Sequence, residues 1–327
     1  MKSIEAYWGS RNLVAIILTP ISWCFCLAVW LRRLLYKSGI FSVYRAPVPV
    51  LVVGNITVGG AGKTPLVVWL VELLMNLGYR PGIVSRGYRG KSTTWPRSVE
   101  WNSDPLQVGD EPVLLARRTR CPVCVGPDRS AAVKLLVEEA GCNIIVSDDG
   151  LQHYALARDL EIAVVDGERG LGNGLCLPAG PLRERASRLD RVDLIINNGA
   201  SHDGKHEMTL SVVAAVNLED PGLNRALEDF IGGPVHAVAG IGNPARFFET
   251  LRHVGLDVIE HPFPDHHAFR FTDISFKDEF PVLMTEKDAV KCSRFAKVSH
   301  WYLKVDADLS PGFTNQLTQL LRDIVNG

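Results

Sequence analysis

An apolar run that leads straight into a glycine-rich turn constrains this chain more than any other feature. Val50-Leu51-Val52-Val53 has the composition of a fully buried strand, and Thr57-Val58-Gly59-Gly60-Ala61-Gly62-Lys63-Thr64 follows shortly after it. Backbone N–H groups can wrap a chain of phosphates only where no side chains intervene, and Gly59, Gly60 and Gly62 meet that condition. Lys63 adds a point charge for the β- and γ-phosphates, and the Thr64 hydroxyl suits Mg²⁺. Pro65 is tolerated because a first helical turn needs no N–H donor there. Leu66 to Leu77 reads as a helix that Gly78 can close, and its N-terminal N–H groups would face the same anion. One position departs from the general pattern: Thr57 stands where Gly is usual. The order strand, loop, Lys-Thr, helix points to a site for a nucleoside triphosphate.

Short apolar runs then alternate with helical stretches. Gly82 to Ser85, Asn143 to Ser147, Glu161 to Val165, Asp193 to Asn197 and Val235 to Ala239 are the first five. Asp257 to Glu260, Val282 to Thr285 and Trp301 to Val305 complete the series. This alternation predicts an α/β fold with a mostly parallel sheet flanked by helices. The chain of 327 residues is long enough for two cores. The polar stretch Asn198 to Glu207 resembles a linker, so the expected division is an N-terminal segment (1–46), a P-loop domain (47–200) and a smaller α/β domain (201–327). Arg86 to Gly109 is rich in Gly, Pro, Ser and Thr with weak periodicity. Long loops of this kind in compact domains are usually functional or mobile.

Asn12 to Leu31 is a run of 20 residues without a charge. Its length permits a membrane span, although Pro20 interrupts it. A cleaved signal peptide is disfavoured because no small-x-small site follows. A buried core helix and a membrane-embedded or interfacial helix both fit the composition. The second is preferred: Trp23 and Trp30 suit an interface, and Arg32 and Arg33 suit anionic headgroups. Residues 1 to 47 carry a balance of +5 against −1 for the whole chain. Nothing in the global charge suggests nucleic acid. Seven scattered cysteines argue for a reducing compartment. Cys121 and Cys124 form a lone C-x-x-C with no second ligand pair, and ordinary strand-edge cysteines are the simpler reading.

Several polar residues stand at the ends of these runs. Asn143-Ile-Ile-Val-Ser-Asp148-Asp149-Gly150 is a strand ending in two acids, the Walker B arrangement that holds Mg²⁺; an acidic strand cap is the bland alternative. Successive strand side chains alternate, so the two acids must take different partners. Asp110, beside Pro112, reads either as a helix cap or as a general base. Arg183 and Glu184 follow a Pro-Ala-Gly-Pro turn. Arginine at a helix start opposes the dipole, which suggests an anion nearby or a surface ion-pair cluster. His266 and His267 lie in a Pro-rich turn. Thr285 with Asp288 looks like a capping box.

Taken together, these pieces resemble the tetraacyldisaccharide 4′-kinase family of Gram-negative bacteria over nearly the whole chain. The marks are Arg45-Ala-Pro-Val-Pro, Val53-Gly-Asn-Ile-Thr with Gly-Gly-Ala-Gly-Lys-Thr-Pro, and Ser85-Arg-Gly-Tyr. Further along come Gly109-Asp-Glu-Pro, Ser147-Asp-Asp-Gly-Leu-Gln-His, Leu177-Pro-Ala-Gly-Pro-Leu-Arg-Glu and Met284-Thr-Glu-Lys-Asp-Ala-Val. Thr57 matches the family's own pattern. The resemblance implies ATP- and Mg²⁺-dependent phosphorylation of the 4′-hydroxyl of a tetraacylated glucosamine disaccharide 1-phosphate, giving lipid IV-A for lipopolysaccharide. It implies association with the cytoplasmic face of the inner membrane, with the membrane surface and the lipid as partners and no protein partner. It implies a P-loop domain facing a smaller α/β domain across a cleft. At matching positions, Thr57 to Thr64 would hold ATP, and Thr64, Asp148 and Asp149 would lie at the metal. Asp110 would be the base with His266 as its partner, the pair meeting when the cleft closes. Arg86, Arg183 and Glu184 are the candidates for the lipid substrate. The competing class is a membrane-tethered P-loop switch or metallochaperone, which would hydrolyse nucleotide without a lipid acceptor.

Overall fold

The computed structural model describes residues 7–199 and 206–326. The Asn12 side chain accepts the Ala15 N–H at 3.0 Å and so starts α1 (Leu13–Lys37). Then come β1 (Val50–Gly54), α2 (Lys63–Asn76), β2 (Pro81–Ser85), β3 (Arg97–Val99), α3 (Pro105–Val108) and α4 (Asp110–Thr119). β4 (Val123–Val125), α5 (Arg129–Glu138), β5 (Ile144–Asp148), β6 (Leu160–Asp166) and β7 (Leu194–Asn198) follow. Past the undescribed residues lie β8 (His206–Asn217), β9 (Asn224–Arg225), β10 (Pro234–Ala239), α6 (Pro244–His253) and β11 (Asp257–Pro262). The chain ends with β12 (Val282–Thr285), α7 (Glu286–Cys292), β13 (His300–Leu309) and α8 (Pro311–Asn326).

The strands form one sheet in the order β11-β10-β12-β13-β8-β7-β6-β1-β5-β2-β4-β3, with β9 on β8. Pairing is parallel except at β13/β8, β3/β4 and β8/β9. β1 lies between β6 and β5, and every residue of β1 and β5 is buried. Strands covered on both faces read as unbroken apolar runs, which is why these two stand out in the sequence. On one face, Leu66, Leu70 and Leu74 of α2 pack with Val113 of α4 and with Phe313, Leu317 and Leu321 of α8. On the other, Ala132, Val133 and Leu136 of α5 meet Val50, Val52 and Ile145, with Phe25 and Cys26 of α1 at the margin. α6 covers β10 through Phe248 and Leu251.

All nine expected strands form. β3, β4, β8 and β9 were not expected. β8 starts within the stretch read as a linker: it is long but alternates buried and exposed residues, so it lacks the apolar run of the buried strands. The expected boundary at 200/201 lies outside the described residues. The sheet is continuous through the β7/β8 pairing on either side of it, and the C-terminal α8 packs back onto the core of the first half.

Helix α1 is docked along one side only. Ser22, 2 % exposed, donates to the Cys176 carbonyl at 2.8 Å and accepts the Ala179 N–H at 3.0 Å. On the opposite side Ile17 is 65 %, Trp23 66 % and Trp30 58 % exposed. A surface helix facing water would carry charge there, and a contiguous exposed apolar patch marks a binding surface. The helix is therefore not an enclosed core element.

Candidate active site

The phosphate loop is braced from three directions. Gly59 and Gly62 have left-handed backbones, φ 99° and 88°. A Cβ on Gly62 would lie 2.5 Å from Asn198 Nδ2, a group that donates to the Ala61 carbonyl at 3.2 Å. Asn55, fully buried at the end of β1, donates to Thr57 Oγ1 at 3.3 Å and to the Gly59 carbonyl at 3.4 Å. Its Oδ1 accepts from Lys63 Nζ at 3.1 Å. Thr57 thus supplies a hydroxyl to the loop's own brace, which gives the departure from Gly a physical use. The Val58 N–H donates to the Pro181 carbonyl at 2.8 Å and the Arg183 N–H to the Ile56 carbonyl at 2.7 Å. These two bonds lace the Leu177–Arg183 turn to the loop and bring Arg183 in beside it.

β5 pairs with β1 so that Asp148 stands opposite Val53, where the phosphate loop departs. Among the described residues, the one hydrogen-bond partner of its carboxylate is the Ser85 hydroxyl, at 3.3 Å. Burial, together with the nearby carboxylates of Glu111 and Asp149, pushes the Asp148 carboxyl up to about 7. A buried acid short of cationic partners is a fit donor for a divalent cation, which would offset that penalty. Asp149 is placed differently. Its backbone is left-handed, φ 48°, and Arg183 Nη1 meets both carboxylate oxygens at 3.1 and 2.9 Å, with Lys63 Nζ at 3.3 Å. Burial alone would raise its pKa, but Lys63 and Arg183 outweigh burial and hold it at about 2. The adjacent acids do take different partners. Behind them, buried Arg129 donates to Ser147 Oγ at 3.1 Å and to the Asp149 carbonyl at 3.0 Å.

Asp110 lies in the first turn of α4, where its charge suits the helix dipole. The cap itself is Gly109, which has no side chain to offer, so neither Asp110 nor Glu111 is the N-cap. Asp110 Oδ1 accepts the Glu111 N–H at 3.0 Å, and Oδ2 stands 3.1 Å from His266 Nδ1. The pair expected to meet on closure is already in contact. Lys287 Nζ completes the cluster, donating to Glu111 at 3.0 Å, with His266 Nε2 at 3.5 Å and Asp265 at 3.7 Å. Burial opposes ionisation of Asp110, but the His266 hydrogen bond and the Lys287 charge outweigh it and hold the carboxyl at about 2.

That depressed value carries a stability consequence. A native pKa below the ordinary aspartate value of 3.8 contributes stability above about pH 4 that is lost as pH falls through about 2. Asp110→Asn should therefore lower unfolding stability at pH 5 by on the order of 2 kcal/mol. The gap between variant and wild type in urea unfolding should roughly halve by pH 3. A gap that stays constant from pH 5 to pH 3 would show that Asp110 is not the ionised partner described.

The remaining sequence candidates divide. Glu184 is buried and accepts from Gln152 at 2.9 Å and from the Tyr154 hydroxyl, so it orders the turn beside the loop. Arg183 and Glu184 precede a short 3-10 turn (Ala186–Arg191) rather than starting an α-helix, and the anion that Arg183 meets is Asp149. Arg86 is exposed at the end of β2, apart from these contacts. His267 pairs with Asp273 at 3.0 Å, away from Asp110. Thr285 does cap α7, accepting the Asp288 N–H at 3.2 Å. Asn55, Arg129, Asn198 and Lys287 join the site without having been singled out. Asn55 and Lys287 sat inside quoted motifs; Arg129 and Asn198 gave no local signal. The C-x-x-C cysteines are free thiols, raised to about 11 by burial, and no metal-holding cluster of His, Cys, Asp or Glu exists among the described residues.

Transfer of a phosphoryl group to a hydroxyl requires a phosphate cradle, a place for the metal and a proton acceptor near one another. A Cβ on Gly242 would lie 3.9 Å both from Asp265 Oδ2, beside His266, and from the Gly60 nitrogen of the loop, so these parts share one site and define a P-loop phosphotransferase. A family model described as tetraacyldisaccharide-1-P 4′-kinase matches residues 14–322. A tetraacyldisaccharide 4′-kinase of Nitrosococcus oceani is 52 % identical over 98 % of this chain and 94 % of its own length. That of Coxiella burnetii is 45 % identical over 99 % of this chain and 97 % of its own. The crystal structure of LpxK from Aquifex aeolicus in complex with ATP superposes with a TM-score of 0.82. It is 28 % identical and covers 95 % of this chain and 99 % of that one. The chain belongs to the tetraacyldisaccharide 4′-kinase family.

Proposed function

We propose that this chain transfers the γ-phosphate of ATP to the 4′-hydroxyl of a tetraacylated glucosamine disaccharide 1-phosphate, forming lipid IV-A, with roles for its residues as follows. The observation that carries this reading is the Asp110–His266 contact at 3.1 Å beside the phosphate loop. A carboxylate–imidazole pair so placed suits removal of the proton from an acceptor hydroxyl. Residues Thr57 to Thr64 cradle the phosphates through backbone N–H groups, and Lys63 exchanges its Asn55 and Asp149 contacts for phosphate oxygens. Asp148 and the Thr64 hydroxyl would hold Mg²⁺, which when bound neutralises charge on the phosphates; Asp149 orients Lys63 and Arg183 around them. Ionised Asp110 fixes the imidazole of His266, and the pair takes the hydroxyl proton as the new O–P bond forms and the bond to ADP breaks. Lys287 and Glu111 hold His266 in place. Exposed Arg86 faces the acceptor, while buried Glu184 orders the turn that carries Arg183.

The division at 200/201 then has a use: residues 47–200 carry the nucleotide site, and residues 201–327 bring His266 and Lys287 to it. The exposed side of α1 inserts into the cytoplasmic leaflet of the inner membrane, where the acyl chains of the acceptor reside. Replacing Ile17, Leu27 and Trp30 by serine removes the apolar side while keeping the Ser22 docking. Co-sedimentation with anionic vesicles should fall severalfold, and activity should drop more on vesicle-borne than on micellar acceptor. Unchanged sedimentation of the folded variant would count against a membrane-facing α1.

Acceptor dependence separates this reading from a nucleotide-driven switch. ADP release should rise at least about 10²-fold on adding the tetraacyl disaccharide 1-phosphate in detergent, since general-base assistance exists only for the acceptor. ADP release of equal rate with and without acceptor would favour the switch.

A further inference from the structure

Arg169 stands over the phosphate loop and has no place in the site described above. It lies three residues beyond β6, the strand directly beside β1. Asp166, at the end of that strand, is buried and accepts the N–H groups of Glu168 at 3.1 Å and Arg169 at 2.9 Å. The same carboxylate holds the guanidinium through Nε at 3.0 Å and Nη2 at 2.8 Å. Nη2 also donates to the Gly60 carbonyl, in the main chain of the loop. Nη1 has no hydrogen-bond partner among the described residues, and it lies 3.2 Å from where a Cβ on Gly59 would sit.

We propose that Arg169 is a catalytic arginine supplied in cis, its free Nη1 meeting the γ-phosphate of bound nucleotide as charge builds during transfer. The inference rests on the kinase reading above. Three observations favour it over a structural brace. First, the arginine side chain is 45 % exposed although its Asp166 partner is buried, so the guanidinium is open to a ligand. Second, its Nη1 is free among the described residues, whereas Lys63 and Arg183 already meet Asp149 and buried Arg129 meets Ser147 and the Asp149 carbonyl. Third, the loop residue facing Nη1 is a glycine, which leaves the guanidinium room to approach the phosphate chain. Asp166 fixes the planar fork beforehand, so little side-chain freedom is lost when the phosphate arrives. An arginine so placed is a recurring source of transition-state stabilisation in P-loop enzymes.

The test uses Arg169→Ala, Arg169→Lys and Arg169→Gln in the full chain, with three readouts: kcat, ATP affinity, and affinity for ADP with aluminium fluoride, a mimic of the transferring phosphoryl group. Arg169→Ala should lower kcat by roughly 10²–10³-fold and leave ATP affinity within about threefold. It should weaken the ADP–aluminium fluoride complex in proportion to kcat. Arg169→Lys should recover part of the loss, and Arg169→Gln serves in place of the alanine variant if that one does not fold. A kcat within twofold of wild type overturns the proposal. So does equal weakening of ATP and of the fluoride complex with a lowered melting temperature, since that is the mark of a brace. If wild type binds ATP but transfers nothing to the acceptor, the kinase reading itself fails.

Discussion

Lys63→Ala is expected to lower phosphoryl transfer by at least about 10³-fold, roughly 4 kcal/mol of transition-state stabilisation, while the chain stays folded. Its ammonium stands between Asn55 Oδ1 at 3.1 Å and Asp149 Oδ1 at 3.3 Å, the mouth of the phosphate loop. It is the charge that the β- and γ-phosphates would meet first. Loss of fold is not expected. Asp149 retains Arg183, and Asn55 retains its bonds to Thr57 and Gly59. ATP affinity should fall as well, because the charge acts on bound phosphates and on the transferring group alike. Circular dichroism and melting temperature report the fold, and steady-state kinetics report the loss. Wild-type rates in the variant would sink the assignment of the loop.

The second large effect concerns Asp110 and His266. Asp110→Ala and His266→Ala should each lower kcat by about 10²–10⁴-fold, with little change in KM for ATP. The double variant should be little worse than the more damaged single variant, because groups acting as a unit are non-additive. The geometry supports one unit: Oδ2 of Asp110 and Nδ1 of His266 are 3.1 Å apart, and Lys287 stands at the far ring nitrogen, 3.5 Å away. Fully additive losses would mean independent roles. A large rise in ATP KM for Asp110→Ala alone would instead place that carboxylate at the metal or nucleotide, where Asp148 is assigned here.

The parts of this site that were legible in the sequence are those set by short-range rules. β1, the phosphate loop and α2 follow one another, and the doubly buried β5 announces its terminal acids through an unbroken apolar run. The two adjacent carboxylates do take different partners, Asp148 toward Ser85 and Asp149 toward Arg183, but the cause is the left-handed turn in which Asp149 leaves β5, not the alternation of strand side chains. What stayed hidden depends on contacts between distant segments. Asn198 reaches the loop at Ala61 from the end of β7, and Lys287, on α7, meets Glu111 on α4. Nothing in the local sequence marks Asn198, and the motif that contains Lys287 reads only as a helix cap. β8 escaped notice because one of its faces is partly open to solvent, and β3 because it is three residues long with two exposed. The arginine at position 183 was noticed for a helix that does not form there, yet the anion it was expected to meet is present.

The most direct measurement supplies ATP radiolabelled at the γ-phosphate and the tetraacyl disaccharide 1-phosphate in detergent. It then locates the new phosphomonoester on the product by phosphorus–proton correlation. Label should appear on the lipid only with wild-type chain, ATP and Mg²⁺ together, and the new phosphate should couple to the proton at carbon 4′. Label released as inorganic phosphate at the same rate with or without lipid, or attached at another hydroxyl, would contradict the function assigned to this chain.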